Sequence, residues 1–380
     1  MEDLFIGFTS ITIWNVIMYI IGGMLIYLAI KKDYEPMLLL PIGFGAILVN
    51  IPLASVLSYE GKPGVLQTLF EAGIATELFP VLIFIAIGAM IDFTPLFKNP
   101  IMIFFGAAAQ FGIFATILAA LFLGQYVPWL NIDLKVASAI GIIGAADGPT
   151  AIFVANKFAR NLLGPISVAA YSYMSLVPII QPPVIKALTT KQERMIKMEY
   201  HEEKVSKTVK IVFPVVVTII AGIVAPISVP LVGLLMFGNL IRESGVLERL
   251  SSTAQNELAN LVTILLGITI GSTMTAEKFL TPATLLILAM GLAAFVFDTA
   301  GGVLFAKLLN LFLKKKINPM LGAAGISAFP MSARVIQKMA AKEDPTNFIL
   351  MQAVSANVSG QLGSIIAGGI VLALVPLLVR

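Results

Sequence analysis

The chain has 380 residues, of which 58% are hydrophobic and 12% charged; its net charge is +4 and it has no cysteine. A soluble domain carries about twice that charged fraction, and the lack of cysteine excludes disulfides, thiolate metal sites and cysteine catalysis. The small basic excess fits basic loops at a membrane surface and requires no nucleic acid partner. We expect no cleavable signal peptide, because the chain opens with Glu2 and Asp3 rather than basic residues.

Long stretches of the chain carry no Asp, Glu, Lys or Arg. Each exceeds or approaches the roughly 20 residues that cross a bilayer as a helix. The uncharged runs are 36–59, 101–132, 211–241, 279–297 and 345–379. Because only helices satisfy this much backbone within lipid, the sequence predicts an all-α polytopic membrane protein.

In chain order, hydrophobic segments precede and follow one charged stretch, 186–210, which holds seven Lys or Arg and four Glu. We therefore predict a first membrane repeat at 1–185, a connecting loop at 186–210 and a second repeat at 211–380. His201, the single histidine, is expected as a solvated residue of that loop. The predicted segments lie near 12–30, 36–56, 79–93, 101–123, 136–156 and 163–185, then 211–226, 228–241, 259–275, 280–306, 319–333 and 346–377.

The two halves resemble each other at a constant offset. "GVLQTLFEAGIATEL" from Gly64 matches "GVLERLSSTAQNEL" from Gly245, a shift of 245 − 64 = 181 residues. The same shift pairs Gly141 with Gly322, Gly144 with Gly325 and Pro149 with Pro330. Small residues align by chance in so biased a composition, but a constant offset over a long span favours duplication. Duplicated transporters bind their substrate at the repeat interface, on interrupted helices near the membrane midplane.

Charge placement indicates how the repeats are oriented. The basic loop 186–210 and Lys31–Lys32 are expected in the cytoplasm, with the acidic amino terminus outside. The first repeat must then cross the membrane an odd number of times, although six segments are predicted in it. One of the six therefore enters and leaves on the same side, and the odd number of crossings makes the two repeats inverted. The segment around Asp147 is the best candidate. The stretches 62–78 and 245–258 are predicted to be interfacial helices or short reentrant links.

Asp147 is an acid within an apolar segment, "GIIGAADGPTAIFVANK", at a point where the helix is expected to break. Gly148 frees the backbone there, and Pro149 removes an N–H donor. Released carbonyls, the carboxylate and the Thr150 hydroxyl are suitable ligands for Na⁺, and the same carboxylate is able to hold a proton. The alternative is a capping Asp at the membrane edge. The second repeat has Ala328 at the equivalent position, so a single acidic centre is predicted.

A polar stretch follows each predicted break. "AAYSYMSLVPIIQPP" includes Tyr171 and Tyr173, and "MQAVSANVSGQLGS" includes Asn357, Ser359 and Ser364. Their oxygens are able to ligate cations or relay protons, although such side chains also join membrane helices by ordinary hydrogen bonds. For the two stretches together we favour the functional interpretation.

Three other charged residues have two interpretations each. Asp298, in "FVFDTAGGVLF", either lines the ion pathway or lies at a helix end near Lys307. Arg334 and Lys338 follow the second break. They either meet an anionic substrate at the cytoplasmic mouth or anchor a helix at the membrane surface.

Several of these stretches closely resemble one family over essentially the whole chain: the β subunits of sodium-pumping, biotin-dependent decarboxylases for oxaloacetate, methylmalonyl-CoA and glutaconyl-CoA. The stretches are "GAADGPTAIFVANKFA", "YSYMSLVPIIQPPVIKALTT", "LLMFGNLIRESGVLERLS", "TAGGVLFAKLLNLF" and "MQAVSANVSGQLGS". The resemblance implies a bacterial inner-membrane subunit that decarboxylates carboxybiotin, consumes a proton and exports Na⁺.

The resemblance also implies roles for residues and partners. It implies catalytic roles for Asp147, Tyr173 and Ser364. Together with the residues of the break, it gives a predicted Na⁺ site of Asp147, Gly148, Thr150, Asn357 and Ser364, in which Asp147 and Asn357 are the principal ligands. It implies carboxybiotin delivered by a separate biotin carrier, which is then the anionic substrate expected to face Arg334 and Lys338 if these residues are not membrane anchors. No cofactor is expected on this chain itself. The implied partners are a carboxyltransferase subunit, the carrier and a small γ- or δ-type membrane subunit, with a homo-oligomer in the membrane.

Two other classes of function remain open from the sequence. A Na⁺-coupled secondary transporter of a small carboxylate shares inverted repeats and broken helices, but the sequence shows no clear paired cationic site for such a substrate at mid-membrane. A structural anchor for a soluble partner would not need Asp147.

Overall fold

The computed structural model of the chain is almost entirely helical. It describes residues 2–128, 131–198 and 204–379, so the predicted loop residue His201 lies outside the described residues. In those ranges the only strands are a two-residue hairpin, β1 (Ser58–Tyr59) with β2 (Lys62–Pro63). The predicted all-α membrane fold is confirmed.

The first half contains twelve described helices, most of them apolar and separated by short turns. They are α1 (Glu2–Thr9), α2 (Ile13–Lys32), α3 (Pro36–Val49), α4 (Val65–Leu69), α5 (Leu78–Met90), α6 (Thr94–Lys98), α7 (Ile103–Ala109), α8 (Phe111–Tyr126), α9 (Leu134–Gly141), α10 (Gly148–Phe158), α11 (Leu163–Ser175) and α12 (Val177–Leu188).

The described helices of the charged stretch and the second half are longer on average. They are α13 (Lys191–Arg194), α14 (Lys207–Val224), α15 (Val229–Ser244), α16 (Glu248–Thr253), α17 (Ala259–Ser272), α18 (Ala276–Phe279), α19 (Pro282–Phe312), α20 (Met320–Ala323), α21 (Met331–Glu343) and α22 (Leu350–Leu378).

Six helical stretches of the described chain are long and apolar enough to cross a membrane, and the number rises to at most eight if each of two bent pairs counts as one span. One bent pair turns by 60° between α4 and α5, and the other turns by 68° between α11 and α12. Many apolar side chains on α2, α14 and α19 are exposed, as expected where lipid covers a helix.

The order of elements repeats between the halves. A helix pair comes first (α2–α3, then α14–α15), followed by a short helix with one π-helical turn and then an apolar helix (α4–α5, then α16–α17). A long helix, a broken helix and a final helix complete each half. Contacts repeat as well, because α5 packs against α15 while its counterpart α17 packs against α3. This supports the predicted duplication, and the inverted orientation of the repeats remains a prediction.

Both predicted helix interruptions are present. The first lies between α9 and α10, where a 3₁₀ turn, Ile142–Ala145, is followed by Ala146 with φ of 51°. The second separates α20 from α21. The two meet, because the backbone N–H of Ser327 donates to the carbonyl oxygen of Ala145 at 3.1 Å. Each interruption is packed against the long helix α19 or α22.

Candidate functional site

Asp147 is the first residue of the site, and local sequence explains its position. It is the N-cap of α10, in extended conformation, with Pro149 in the first turn of the helix where the missing N–H has no intrahelical partner to lose. Its side chain is only 2% exposed. The cap interpretation is therefore correct about the local geometry, and this cap is buried inside the protein.

The Asp147 carboxylate is surrounded by hydroxyl groups from two helices. Oδ2 accepts hydrogen bonds from the Thr150 Oγ1 and Ser364 Oγ hydroxyls, each at 2.8 Å, and Oδ1 accepts from the Thr150 backbone N–H at 3.3 Å. The Gln361 Nε2 group lies 3.5 Å from Oδ2. Carboxylate and hydroxyl oxygens are the ligands that hard cations prefer. The structure thus brings together Asp147, Thr150 and Ser364 of the predicted set.

Gly148 has a different role from the one that the sequence suggested. The left-handed backbone position belongs to Ala146, and Gly148 is already helical. A Cβ on Gly148 would lie 2.0 Å from Cε1 of the Tyr171 ring. Any side chain at position 148 would overlap the Tyr171 ring, so this position requires glycine.

The two tyrosines of the first polar stretch lie in different surroundings. Tyr171 is 1% exposed, packs on Gly148, and its hydroxyl is buried without a hydrogen-bond partner among the described residues. The Tyr173 hydroxyl instead donates to the carbonyl oxygen of Leu288 in α19. The family resemblance implied Tyr173 as the catalytic tyrosine, whereas of the two it is Tyr171 that contacts the start of α10.

Asn357 lies on α22 and contacts the second break. Its Nδ2 group donates to the Ile326 carbonyl oxygen at 2.7 Å, and its Oδ1 is buried without a partner in the described chain. Ser327, the residue after Ile326, has a buried hydroxyl that interacts with the Asp147 carboxylate. The Ser327 backbone bonds to Ala145, so this hydroxyl lies where the second break meets the first, whereas Asn357 lies on α22 and contacts the second break through Ile326.

Sequence reasoning missed Ser327 and Gln361 as site residues. Gln361 lies three positions before Ser364 on α22, so helical spacing alone places both on one face. Ser327 immediately precedes Ala328, the residue that the 181-residue shift aligns with Asp147. That alignment was the available signal for Ser327, but it drew attention only to the missing acid.

Arg334 and Lys338 lie one turn apart on the exposed side of α21. Lys338 lines a surface cavity of about 210 Å³ between α12 and α21, together with Lys186 and Lys342. Glu343 also lines it, and the Arg194 guanidinium, whose Nε is 2.7 Å from Glu343 Oε1, holds the pKa of that carboxyl below its usual value. Glu343 is therefore ionised and neutralised by Arg194, which leaves the cavity basic.

Asp298 lies in the middle of α19 and is fully buried. The interpretation that placed it at a helix end near Lys307 is wrong, because α19 continues unbroken through both residues to Phe312. The Lys307 Nζ group instead contacts the Leu188 carbonyl oxygen at 2.9 Å and Glu193 Oε1 at 3.2 Å.

The fold and this site define a class: a helical membrane protein in which two broken helices meet beside a buried carboxylate lined with hydroxyl groups. Within that class, the chain belongs to the family of Na⁺-transporting oxaloacetate decarboxylase beta subunits, whose family model matches residues 14–375. Its apolar helices and this membership make it a multi-pass protein of the bacterial inner membrane.

Relatives from three decarboxylases match almost the full length. The chain is 51% identical over 369 residues to the glutaconyl-CoA decarboxylase subunit beta of Acidaminococcus fermentans, covering 97% of this chain and 95% of that one. It is 47% identical over 388 residues to the methylmalonyl-CoA decarboxylase subunit beta of Propionigenium modestum (97% and 96%). It is 47% identical over 408 residues to the oxaloacetate decarboxylase beta chain 2 of Salmonella typhimurium (94% of each).

Proposed function

We propose that this chain decarboxylates carboxybiotin, delivered on a separate carrier protein, and couples CO₂ release and proton consumption to Na⁺ export. One observation carries the proposal: a buried carboxylate lies where two helix breaks meet, in a member of a family of Na⁺-transporting decarboxylase subunits. A carboxylate at bilayer depth is costly, roughly 2.5–3.5 kcal/mol on insertion scales, and generally serves an ion pathway.

The proposed Na⁺ site consists of Asp147 and the groups around it. The hydroxyls of Thr150 and Ser364 now donate to the carboxylate, but a hydroxyl also offers two acceptor lone pairs. Rotation of these two O–H groups would turn their hydrogens away and direct oxygen lone pairs toward a cation bound at Oδ2. Gly148 permits the close packing of the site, and the free Oδ1 of Asn357 on α22, beside the second break, offers a further ligand.

The proposed chemistry follows from burial. The substrate's localised negative charge disperses as CO₂ leaves, so removing water from it accelerates decarboxylation. The reaction balances as N-carboxybiotin anion plus one proton giving biotin and CO₂. We assign the handling of that proton to Asp147, Tyr173 and Ser364. Because Ser364 already bonds to Asp147, a cation at the carboxylate changes the hydrogen bonds available for proton transfer.

Export requires strict coupling between the two events. Moving one Na⁺ against 100 mV requires about 2.3 kcal/mol. Release of CO₂ without ion movement would dissipate the free energy of decarboxylation that drives this transport. We propose that the broken helices move against the remaining helices of two inverted repeats, 1–185 and 211–380, joined by a cytoplasmic loop at 186–210. The hydrogen bond from the Ser327 backbone N–H to the Ala145 carbonyl oxygen joins the two broken helices.

The substrate is proposed to approach through the basic cavity between α12 and α21. Its carboxylate would meet Lys338, with Arg334 one turn away on the same side of the helix. Replacing Lys338 by Gln is expected to raise KM for the carboxylated carrier about three- to tenfold, with little change in kcat, because an exposed charge mainly assists encounter. Steady-state kinetics of the assembled complex measures both constants.

Lys157 provides a matched control for this prediction. It is the residue that the 181-residue shift aligns with Lys338, it is exposed, and its only described ion pair is a long one, 3.9 Å to Glu77. Lys157→Gln should leave KM unchanged. Equal effects of the two substitutions would show that general surface charge, rather than the α12–α21 cavity, attracts the carrier.

The proposed partners follow from membership among beta subunits of multi-subunit decarboxylases: a carboxyltransferase subunit, a biotin carrier and a small γ- or δ-type membrane subunit, around a homo-oligomer of this chain. The test of the function uses the complex in proteoliposomes supplied with the carboxylated carrier. We expect Na⁺-dependent release of CO₂ together with ²²Na⁺ uptake. Uptake of ²²Na⁺ driven by a carboxylate gradient, with no CO₂ release, would instead identify a secondary transporter.

A further inference from the structure

The buried acid Asp298 has no part in the function proposed above. Its Oδ1 accepts a hydrogen bond from the backbone N–H of Ile113 at 3.1 Å, near the start of α8, while its Oδ2 is buried without a partner among the described residues. An N-terminal helix end favours a nearby acceptor oxygen. One half of the carboxyl group is therefore explained by helix capping, and the other half is not.

Two glycines on different elements make room for the Asp298 carboxyl group. A Cβ on Gly112 would lie 2.4 Å from Oδ1, and a Cβ on Gly144 would lie 2.5 Å from Oδ2. Gly144 belongs to the 3₁₀ turn that ends just before Ala146 and Asp147. Asp298 thus lies between the start of α8 and the break that carries the proposed Na⁺ site, with its unpartnered oxygen directed at the break.

The surroundings of Asp298 hold no compensating positive charge. The elements that touch it, α8 and the turn 142–145, have no Lys or Arg, and neither does α19 until Lys307. The titratable groups on other elements that pack on α19 include Lys135 of α9, Lys186 of α12, and Tyr171 and Tyr173 of α11, and Asp147 follows the turn. None of these groups bonds to Asp298 in the described structure. An ionised carboxylate here would be buried without an ion-pair partner among the described residues, whereas a protonated one gains an O–H donor at its free oxygen.

We propose that Asp298 is a protonatable positioning residue, and that its neutral carboxyl group holds the break carrying Asp147 against α8 and α19. Loss of the proton places an unpaired charge between these elements and releases the turn. The proton equilibrium of Asp298 thereby controls which arrangement of the break, and so of the Na⁺ site, is populated. Asp147 holds the transported cation and Asp298 holds a proton, so the two acids have separate tasks.

The test rests on the proposed function and uses the assembled complex in proteoliposomes, with decarboxylation and ²²Na⁺ uptake measured from about pH 6 to about pH 9. In the wild type, activity should fall by up to about tenfold per pH unit on the alkaline side. Asp298→Asn keeps an acceptor for Ile113 but has no proton to lose. Its activity should fall less than about threefold over the same interval, with the apparent KM for Na⁺ at low pH changed less than about twofold.

Thr299→Val and Asp298→Glu are the companion variants. Thr299 is the next residue, fully buried, with an unpartnered hydroxyl in the described structure, so its loss should leave the wild-type pH profile. Asp298→Glu should restore an alkaline fall. Superimposable profiles for wild type and Asp298→Asn overturn the inference while leaving the proposed function intact. A wild-type complex without Na⁺-dependent decarboxylation would instead reject the proposed function.

A measurement on the wild-type complex covers the case in which Asp298→Asn does not assemble. Hydrophobic carbodiimides react with protonated carboxyl groups inside membranes, and peptide mapping locates the labelled residue. We expect Asp298 to be labelled at about pH 6 and at least about fivefold less at about pH 9. Labelling that does not fall with pH, or no labelling at any pH, overturns the inference.

Discussion

Replacing Asp147 by Asn is expected to lower Na⁺-dependent decarboxylation and ²²Na⁺ uptake together, by about a hundredfold or more, the range expected when a group that handles a proton or ion is lost. Asn is as good an N-cap as Asp, and its carbonyl oxygen still accepts from Thr150 and Ser364. The substitution therefore removes the charge while it leaves the helix start in place. Proteoliposomes that contain the complex measure both rates.

Asp133 is the matched control, because it caps another helix of the same region. It is the N-cap of α9, accepts from the Val136 backbone N–H at 2.7 Å, and is exposed. Asp133→Asn should change activity less than about twofold. If Asp147→Asn were equally mild, Asp147 would be a structural cap, and the structural-anchor function would become the better explanation.

Adding one methyl group at Gly360 is expected to separate the second break from α22. A Cβ there would lie 2.2 Å from the Gly325 carbonyl oxygen and 2.6 Å from that of Ile326, the oxygen that accepts from Asn357. Backbone atoms cannot move aside as a flexible side chain can. We expect Gly360→Ala to lower the free energy of unfolding by about 1–3 kcal/mol and to reduce ²²Na⁺ uptake, as measured by thermal melting in detergent and by transport.

Gly23→Ala serves as the control for Gly360→Ala. Gly23 lies in α2 with nothing within 4 Å of an added Cβ, so alanine should be neutral or stabilising by up to about 1 kcal/mol through helix propensity. A Gly360→Ala protein that melts and transports like the wild type would mean that the second break does not depend on its close packing against α22.

The sequence was informative about the helices and their interruptions, and less informative about which side chains contact each other. Apolar runs predicted the spans, and Gly and Pro around Asp147 predicted the break, because both signals are local. The second break was found only through its repeat offset, since Ala328 carries no charge to mark it. The local composition pointed to Gly148 as the residue with special backbone freedom. The left-handed conformation is instead at Ala146, because it depends on the path of the backbone before Asp147.

Contacts between distant segments account for what the sequence left open. Ser364 meets Asp147 across more than two hundred residues, and the choice between Tyr171 and Tyr173 depends on which side of α11 faces α10 and which faces α19. Periodicity ranks both tyrosines alike. Asp298 was recognised as an intramembrane acid, but its bond to Ile113 and its contact with Gly144 depend on how α8, α19 and the first break pack together.

Equilibrium binding of ²²Na⁺ to the purified complex tests most directly whether the Asp147 carboxylate holds the transported ion. The wild type and Asp133→Asn should bind Na⁺ saturably with the same stoichiometry, and Asp147→Asn should lose at least one bound ion per copy of this chain. Undiminished Na⁺ binding by Asp147→Asn, at the wild-type affinity, would contradict the account.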